Sequence, residues 1–185
     1  MLSPLPAILV SCGNSTIGTN LFTASWTGVL CSEPPICYVS VRPERYSYGL
    51  IDQTGEFVLN LTTEAMARAT DWCGVRSGRD YDKWRECGLT PAACAHLQAP
   101  QVLEAPVSIE CKVTQKIELG SHHLFMGAVQ QVWVEDKFIH PTTGKLDLKA
   151  AGLLCYAHGE YFGLGDFIGY FGWSVKKGSA PQRRS

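Results

Sequence analysis

Short runs of strand-forming residues, separated by glycine and proline turns, follow one another through the first third of the chain. These runs are rich in aliphatic, aromatic and hydroxyl side chains, and they end at turn signals such as Gly13-Asn14 and Pro34-Pro35. Residues 47–53 suit a short helix that ends at Gly55. The predicted strands are 7–12, 20–29, 36–41 and 56–61. Closely spaced strands of this kind are typical of a barrel or a sandwich.

The middle of the chain is predicted to hold two helices, and two long strands follow them. Thr63-Glu64 opens the first helix and Gly74 stops it, while the second ends at Gly88. An irregular connection over 89–106 contains three prolines. The helices cover 65–73 and 80–87, and the strands cover 107–113, where apolar residues alternate strictly, and 123–134. Residues 150–172 are rich in Gly, Tyr and Phe, which indicates a packing or interface arm.

The order of these elements favours a mainly β fold with inserted helices, closed into a barrel. Strands and helices do not alternate as in βαβ units, and no G-x-G-x-x-G motif follows a strand, so we do not expect a dinucleotide site of the Rossmann type. We expect one domain over residues 1–175, followed by a polar, basic C-terminal tail over 176–185.

Composition limits the function classes. A formal net charge of −1 gives no global field that would draw the protein to nucleic acid or to an acidic membrane surface. No segment approaches the roughly 20 apolar residues that cross a bilayer, and the N-terminus lacks the basic start of a signal peptide. The eight cysteines contain no C-x-x-C pair and no metal-type cluster, so we expect reduced thiols, no metal site and a cytoplasmic location.

The segment Asn20-Leu21-Phe22-Thr23-Ala24-Ser25-Trp26 has the chemistry of a slot for a flat ring. Such a slot is largely apolar, with backbone and hydroxyl groups at its polar edge. Ala24 and Ser25 are small enough to let backbone N–H groups approach a ring, while Thr23 and Ser25 offer hydroxyls. A strand with two hydroxyls and a buried Trp26 is the alternative interpretation.

Two basic segments lead into predicted helices, and each could hold a phosphate. The first is Arg42-Pro43-Glu44-Arg45-Tyr46-Ser47 and the second is Ser77-Gly78-Arg79-Asp80-Tyr81-Asp82-Lys83. A helix N-terminus offers unpaired N–H donors, and neighbouring Arg, Lys and Ser side chains complete an anion site. Each segment alone also fits a solvated loop with a capping serine. The presence of two such segments favours one phosphate-bearing ligand.

Five motifs occur in a recognisable order: N-x-x-T-A-S-W, then C-S-E-P-P, S-V-R-x-x-x-Y-S-Y-x-L-I, T-G-E-F-V-L-N and S-G-R-D-Y-D-K-W. Together with A-P-V-S-I-E-C and G-S-H-H-L-F-M-G-A-V, they resemble the flavin reductase-like, FMN-binding split-barrel family, most closely its flavoredoxin branch. The resemblance runs from about residue 6 to about residue 134. It implies a six-stranded split barrel, a homodimer, and FMN bound without covalent attachment near the subunit boundary.

The resemblance also implies roles for individual residues. His122 takes the position that faces the flavin where a nicotinamide docks, although Ser121 stands where the family commonly has Asp. Cys31, beside the C-S-E-P-P motif, is either a group close to the ring or a structural thiol. The implied FMN contacts are Asn20, Thr23, Ala24, Ser25 and Trp26 for the ring and ribityl chain, Arg42, Arg45, Tyr46 and Ser47 for a first phosphate loop, and Ser77, Arg79 and Lys83 for a second.

The expected function is that of an NAD(P)H-dependent flavin or ferric reductase, which transfers hydride to flavin and passes electrons onward. The alternative is a flavoredoxin-like electron carrier that holds FMN and exchanges electrons with a partner protein, without a nicotinamide site. A third possibility is a non-redox barrel that binds haem or serves as a dimeric scaffold.

Overall fold

The computed structural model describes residues 2–175. Within that range, seven strands form an antiparallel sheet in the order β3-β2-β6-β9-β10-β5-β4. In chain order the strands are β1 (Leu5–Pro6), β2 (Ile8–Asn14), β3 (Gly18–Ala24), β4 (Thr27–Ser32), β5 (Pro35–Val41), β6 (Glu56–Leu61), β7 (Pro91–Ala92), β8 (Gln101–Val102), β9 (Val107–Glu118), β10 (His123–Val134), β11 (Leu154–Ala157) and β12 (Glu160–Gly163). The helices are α1 (Tyr46–Thr54), α2 (Ala67–Val75) and α3 (Lys83–Cys87), with short 3₁₀ turns at Glu64–Met66, Asp136–Phe138 and Trp173–Val175.

The large sheet curls into a barrel because its two end strands are consecutive in the chain. Only Ser25 and Trp26 separate β3 from β4, yet these strands lie at opposite ends of the sheet order. The amide of Ser40 donates to the carbonyl of Trp26 (2.9 Å), which ties this link to β5. The two-residue link therefore lies at the seam of the barrel.

The core lies on both sides of β2, which explains the uninterrupted apolar run in its sequence. Val10 and its neighbours face the barrel interior with Phe57 and Phe125, while Leu9 packs under α2 and α3. Gly127 on β10 allows a close crossing, since a β-carbon there would lie 2.8 Å from the side chains of both Cys111 and Phe57.

Helices α2 and α3 are inserted between β6 and β9 and cover one outer face of the barrel. The connection after them is held by buried polar groups. Glu110, whose side chain is fully buried, accepts hydrogen bonds from the amides of Ala95 and His96 and from the indole of Trp133. The carboxamide oxygen of Asn60 accepts from the Val102 amide (2.9 Å).

The C-terminal part returns to the start of the chain. Strands β11 and β12 form a hairpin that pairs with β1, through Leu5 opposite Tyr156. This hairpin lies in the segment that the sequence predicts as a packing arm. Within residues 2–175, none of the helices has the length and apolar character needed to cross a bilayer.

The mainly β, split-barrel prediction is confirmed, with local differences in the bounds of several elements. Residues 20–29 are not one strand, because the chain bends at Ser25-Trp26, and the barrel sheet therefore has seven strands rather than six. Gly74 does not stop α2, which extends to Val75. Helix α3 begins at Lys83 rather than at 80, because the Asp82 carboxylate caps it by accepting from the amides of residues 84 and 85. The division into a domain over 1–175 and a tail stays a prediction, and the tail lies outside the described residues.

Candidate functional site

A groove runs across the seam of the barrel and narrows beneath α2. It consists of an open slot of about 490 Å³ and a deeper end of about 290 Å³. Four residues line both parts, so the two parts are continuous: Phe22, Thr23, Arg45 and Gly74. The groove is therefore an elongated site, with a volume typical of small-molecule pockets.

The end of β3 and the link to β4 form one wall of the slot. Ala24 is buried, Ser25 is half-buried, and Trp26 is 52% exposed at the mouth. The hydroxyl of Thr23 donates to the carbonyl of Thr70 on α2, which joins the wall to the helix. Gly74 makes this approach possible, since a β-carbon at that position would lie 3.2 Å from Cβ of Thr23. Trp26 is thus exposed at the slot and not buried as the alternative interpretation required.

The deeper end of the groove is rich in cations. Arg45, Arg76, Arg79 and Lys83 line it, and Glu44 is its single carboxylate among the described residues. A guanidinium nitrogen of Arg79 donates to the carbonyl of Glu44 (3.2 Å). Anions are stabilised where several cations converge in a partly buried site. This end therefore has the charge and donors to hold a phosphate.

Lys83 is the least exposed of these cations, with 3% of its surface accessible. Its ammonium group donates to the carbonyl of Cys73 (2.7 Å), so the terminal amine is fixed by the end of α2. The pKa of Lys83 lies below its usual range because burial disfavours the charged form. An ammonium group held in this way gains most from a bound anion, because it has lost much of its hydration.

A buried hydrogen bond supports the floor of the deeper end. The side-chain nitrogen Nδ2 of Asn20 donates to the hydroxyl of Ser47 (2.8 Å), and both residues are at most 3% exposed. The loop carrying the second basic segment crosses directly over Asn20, since a β-carbon on Gly78 would lie 2.5 Å from Cγ of Asn20. The amide of Arg79 donates to the Ser77 hydroxyl (3.2 Å) in the same loop. The two predicted phosphate segments therefore meet at Asn20.

His122 lies at the open end of the slot, where its ring contacts Trp26 with centroids 4.4 Å apart. Its Nδ1 is 3.0 Å from the hydroxyl of Ser121. Burial, with a smaller contribution from the Arg42 guanidinium, keeps the pKa of His122 below its ordinary value. This shift favours the neutral form of the imidazole.

Three neighbouring residues take positions other than the centre of the site. Arg42 lines the open slot beside His122, not the phosphate end, and it pairs with Glu44 (2.9 Å). His123 points to the other side of the strand, where its Nδ1 meets the hydroxyl of Tyr48 (2.8 Å). Cys31 does not line the groove, and its thiol donates to the carbonyl of Glu33.

A second wall of the slot was not among the predicted site residues. It comes from Asp71 and Val75 on α2 and from Tyr156, Gly159 and Tyr161 of the β11–β12 hairpin. The Tyr161 hydroxyl donates to the Asp71 carboxylate (3.2 Å), and burial together with this carboxylate raises the pKa of Tyr161 to about 12. The aromatic content of 150–172 was the signal for this wall, but nothing local indicated which tyrosines face the groove.

The groove can hold one elongated ligand with a flat, largely apolar part and an anionic end. The slot offers a small-residue wall at Ala24-Ser25 and aromatic edges, and the far end offers Lys83 with three arginines. Flavin mononucleotide has this layout, with a ring system, a hydroxylated ribityl chain and a terminal phosphate. Within residues 2–175 no group of three or more His, Cys, Asp or Glu is arranged to hold a metal ion.

A curled antiparallel sheet with two helices inserted after its fifth strand in chain order, and a groove across its seam, defines the split-barrel class of proteins. The chain belongs to the flavin reductase like domain family, whose model matches residues 2–165. Two flavoredoxins are similar in structure, each covering 95% of both chains: that of Desulfovibrio vulgaris (Miyazaki F), with a TM-score of 0.88 and 31% identity, and that of Methanosarcina acetivorans, with 0.86 and 25%. An FMN-binding protein from Thermus thermophilus, with bound 1-cyclohex-2-enone, has a TM-score of 0.75 and 26% identity over 87% of this chain and 86% of that chain.

Proposed function

We propose that the protein binds FMN without covalent attachment in the seam groove and transfers electrons through it, with NADH or NADPH as the electron donor. The observation that carries the proposal is the continuity between the apolar slot and the cationic end around Lys83. The buried ammonium group of Lys83 donates to the Cys73 carbonyl, and a ligand without a phosphate would bring it no negatively charged partner. The FMN-binding protein from Thermus thermophilus supports the same ligand by similarity.

Bound FMN would supply the redox chemistry, since it accepts a hydride and releases electrons singly or in pairs. The residues of the chain bind the flavin, orient it and shield it from solvent. Arg45, Arg79 and Lys83 would hold the phosphate, and the hydroxyls of Thr23 and Ser25 lie where the ribityl chain and the polar ring edge would pass. Backbone N–H groups of the Ala24-Ser25 segment can approach the ring because the side chains there are small.

The open side of the slot is where an external donor would meet the ring. Trp26 and His122 form an aromatic pair at this side, and both line the slot. The pair offers a surface on which a nicotinamide ring could stack. Burial lowers the pKa of His122 and so favours the neutral imidazole, which can donate a hydrogen bond without adding a positive charge next to the positively charged nicotinamide of the oxidised coenzyme.

An electron carrier without a nicotinamide site is the second candidate. It is favoured by the similarity to flavoredoxins and by Ser121, which leaves His122 without an orienting carboxylate. We further propose that the protein acts as a homodimer, as the family resemblance implies, since exposed apolar side chains such as Ile168 and Phe171 follow the β11–β12 hairpin.

Two measurements, made one after the other, test the proposal. The visible spectrum of the purified protein, before and after addition of FMN, is expected to show the bands of bound oxidised flavin, and fluorescence titration gives the dissociation constant. A protein that retains no flavin absorption after unbound FMN is removed by desalting would contradict the proposal and would favour the scaffold or haem-binding class. Anaerobic stopped-flow mixing with NADH and NADPH then separates the two candidates, because rapid flavin bleaching supports the reductase and its absence supports the carrier.

A further inference from the structure

Two thiols touch each other beside the cationic end of the groove. The sulfur atoms of Cys73 on α2 and Cys87 on α3 lie 3.6 Å apart, and the residues are separated by 14 positions in the chain. Cys73 is buried and also lines the groove, whereas Cys87 is half-buried. One member of the pair therefore faces the groove, and the other is partly accessible to solvent.

The segment between these cysteines carries most of the proposed phosphate site. Ser77, Arg79 and Lys83 all lie within it, and all three line the deeper end of the groove. Lys83 is already coupled to one of the cysteines, because its ammonium group donates to the Cys73 carbonyl (2.7 Å). A bond between the two sulfurs would close a covalent ring around the phosphate-binding segment.

We propose that Cys73 and Cys87 form a reversible disulfide that fixes this segment and strengthens phosphate binding in the groove. The oxidant is a low-molecular-weight disulfide of the glutathione type. This inference rests on the proposed function for its ligand, but the disulfide itself rests on the sulfur contact alone. Ring closure over about 15 residues removes conformational freedom from the segment, and a site that is ordered before binding loses less entropy on binding.

The chemistry balances as two successive thiol–disulfide exchanges. The more accessible Cys87 thiolate attacks one sulfur of the small disulfide, forms a mixed disulfide, and releases one small thiolate. The Cys73 thiolate then attacks the Cys87 sulfur and releases the second. The protein loses two protons and two electrons, and the small disulfide is reduced to two thiols.

We expect both thiols to react slowly at neutral pH. Burial raises the pKa of Cys73 to about 12 and also raises the pKa of Cys87, and only thiolates carry out the exchange. The disulfide would therefore form under sustained oxidising conditions and not under brief ones. A mildly alkaline buffer is suitable for the experiment because it increases the thiolate fraction.

The first measurement decides whether the disulfide forms. The full chain is incubated with oxidised glutathione, the remaining thiols are alkylated, and the protein is digested with trypsin, which cleaves after Arg76 and Arg85 and so separates the two cysteines. The expected product is peptide 69–76 joined to peptide 86–112 by a disulfide that dithiothreitol removes, with fragmentation placing the link at Cys87 and the alkyl groups at Cys94 and Cys111 of the longer peptide. Glutathione adducts or other pairings without this product would overturn the proposal.

The second measurement decides whether the bond affects the site. Titration with FMN is expected to give a dissociation constant about three to ten times lower for the oxidised than for the reduced protein. Cys87→Ser is expected to lose this response, and Cys155→Ser, which changes a half-buried thiol outside the segment, is expected to keep it. Equal affinities in both states, or an unchanged response in Cys87→Ser, would overturn the coupling.

Native-state trypsin cleavage after Arg76 and Arg79 provides a readout that does not need FMN. The oxidised protein is expected to be cut at these sites at least about threefold more slowly, since ring closure restricts the segment. If FMN binds neither form, the proposed function fails while the linked peptides and the slower cleavage still support the disulfide. If FMN binds and no linked peptides form, the disulfide fails alone.

Discussion

Replacement of Lys83 by methionine tests the assignment of the phosphate end most directly. The side chain is almost fully buried, and its ammonium group lies in the narrow part of the groove. A hydrogen bond to a charged group contributes about 1.5–3 kcal/mol, so loss of the ammonium–phosphate contact should raise the dissociation constant for FMN about tenfold to 150-fold. Methionine has a similar length and no charge to bury, and we therefore expect the melting temperature to stay the same or to rise.

Riboflavin provides the internal comparison, because it lacks the phosphate. Lys83→Met should change the dissociation constant for riboflavin less than about twofold, since uncharged ligands gain little from the ammonium group. Lys116→Met is the matched control: this lysine pairs with Asp52 (2.8 Å) outside the groove and should leave both affinities unchanged. Equal losses for FMN and riboflavin in Lys83→Met would refute the reasoning, because the substitution would then act on the shape of the groove.

The pH dependence of FMN binding follows from the same residue. Burial lowers the pKa of Lys83, and a bound phosphate would raise that pKa again by stabilising the ammonium form. Binding should therefore take up protons at alkaline pH, and the affinity for FMN should decrease as the pH rises through the pKa of Lys83 in the free protein. The Lys83→Met variant should lack this alkaline decrease in a fluorescence titration repeated across pH.

Three further predictions concern other parts of the structure. Gly78→Ala should weaken FMN binding about tenfold, because a β-carbon there would lie 2.5 Å from Cγ of Asn20; Gly165→Ala, with open space around it, should not. Glu110→Gln should lower the free energy of unfolding by about 1.5–3 kcal/mol in urea denaturation, since the buried carboxylate accepts three hydrogen bonds. His122 should titrate in NMR with a midpoint below 6.5, because burial and a neighbouring guanidinium disfavour its protonated form, and a midpoint above 6.5 would contradict its placement.

The strands of the barrel were predictable where turn signals bracket them. The bounds of β6 and β10 agree with the predicted 56–61 and 123–134, and α1 differs from 47–53 by one residue at each end. Gly55 ends α1 with a left-handed backbone (φ 67°), the conformation that glycine favours at this position. These elements follow from local residue preferences, which a single sequence contains.

The parts of the site that depend on contacts distant in sequence were not predictable in this way. The composition of 150–172 indicated aromatic packing, but the pairing of β11 with β1 joins residues about 150 positions apart. That pairing brings Tyr156 and Tyr161 to the slot. Arg42 was expected at the phosphate as part of the basic segment that leads into α1, but it lines only the open slot, whereas Arg45 lines both parts of the groove.

Barrel stability and site chemistry are carried by different segments of this chain. Among the described residues, the four cations at the deeper end lie outside the barrel strands: Arg45 precedes α1, Arg76 and Arg79 follow α2, and Lys83 begins α3. The strands contribute the seam itself, where the Ser25-Trp26 link lines the slot. Substitutions in the segment 76–83 should therefore change which anionic ligand binds while the barrel remains folded, since the core on β2, β6 and β9 makes no use of that segment's charges.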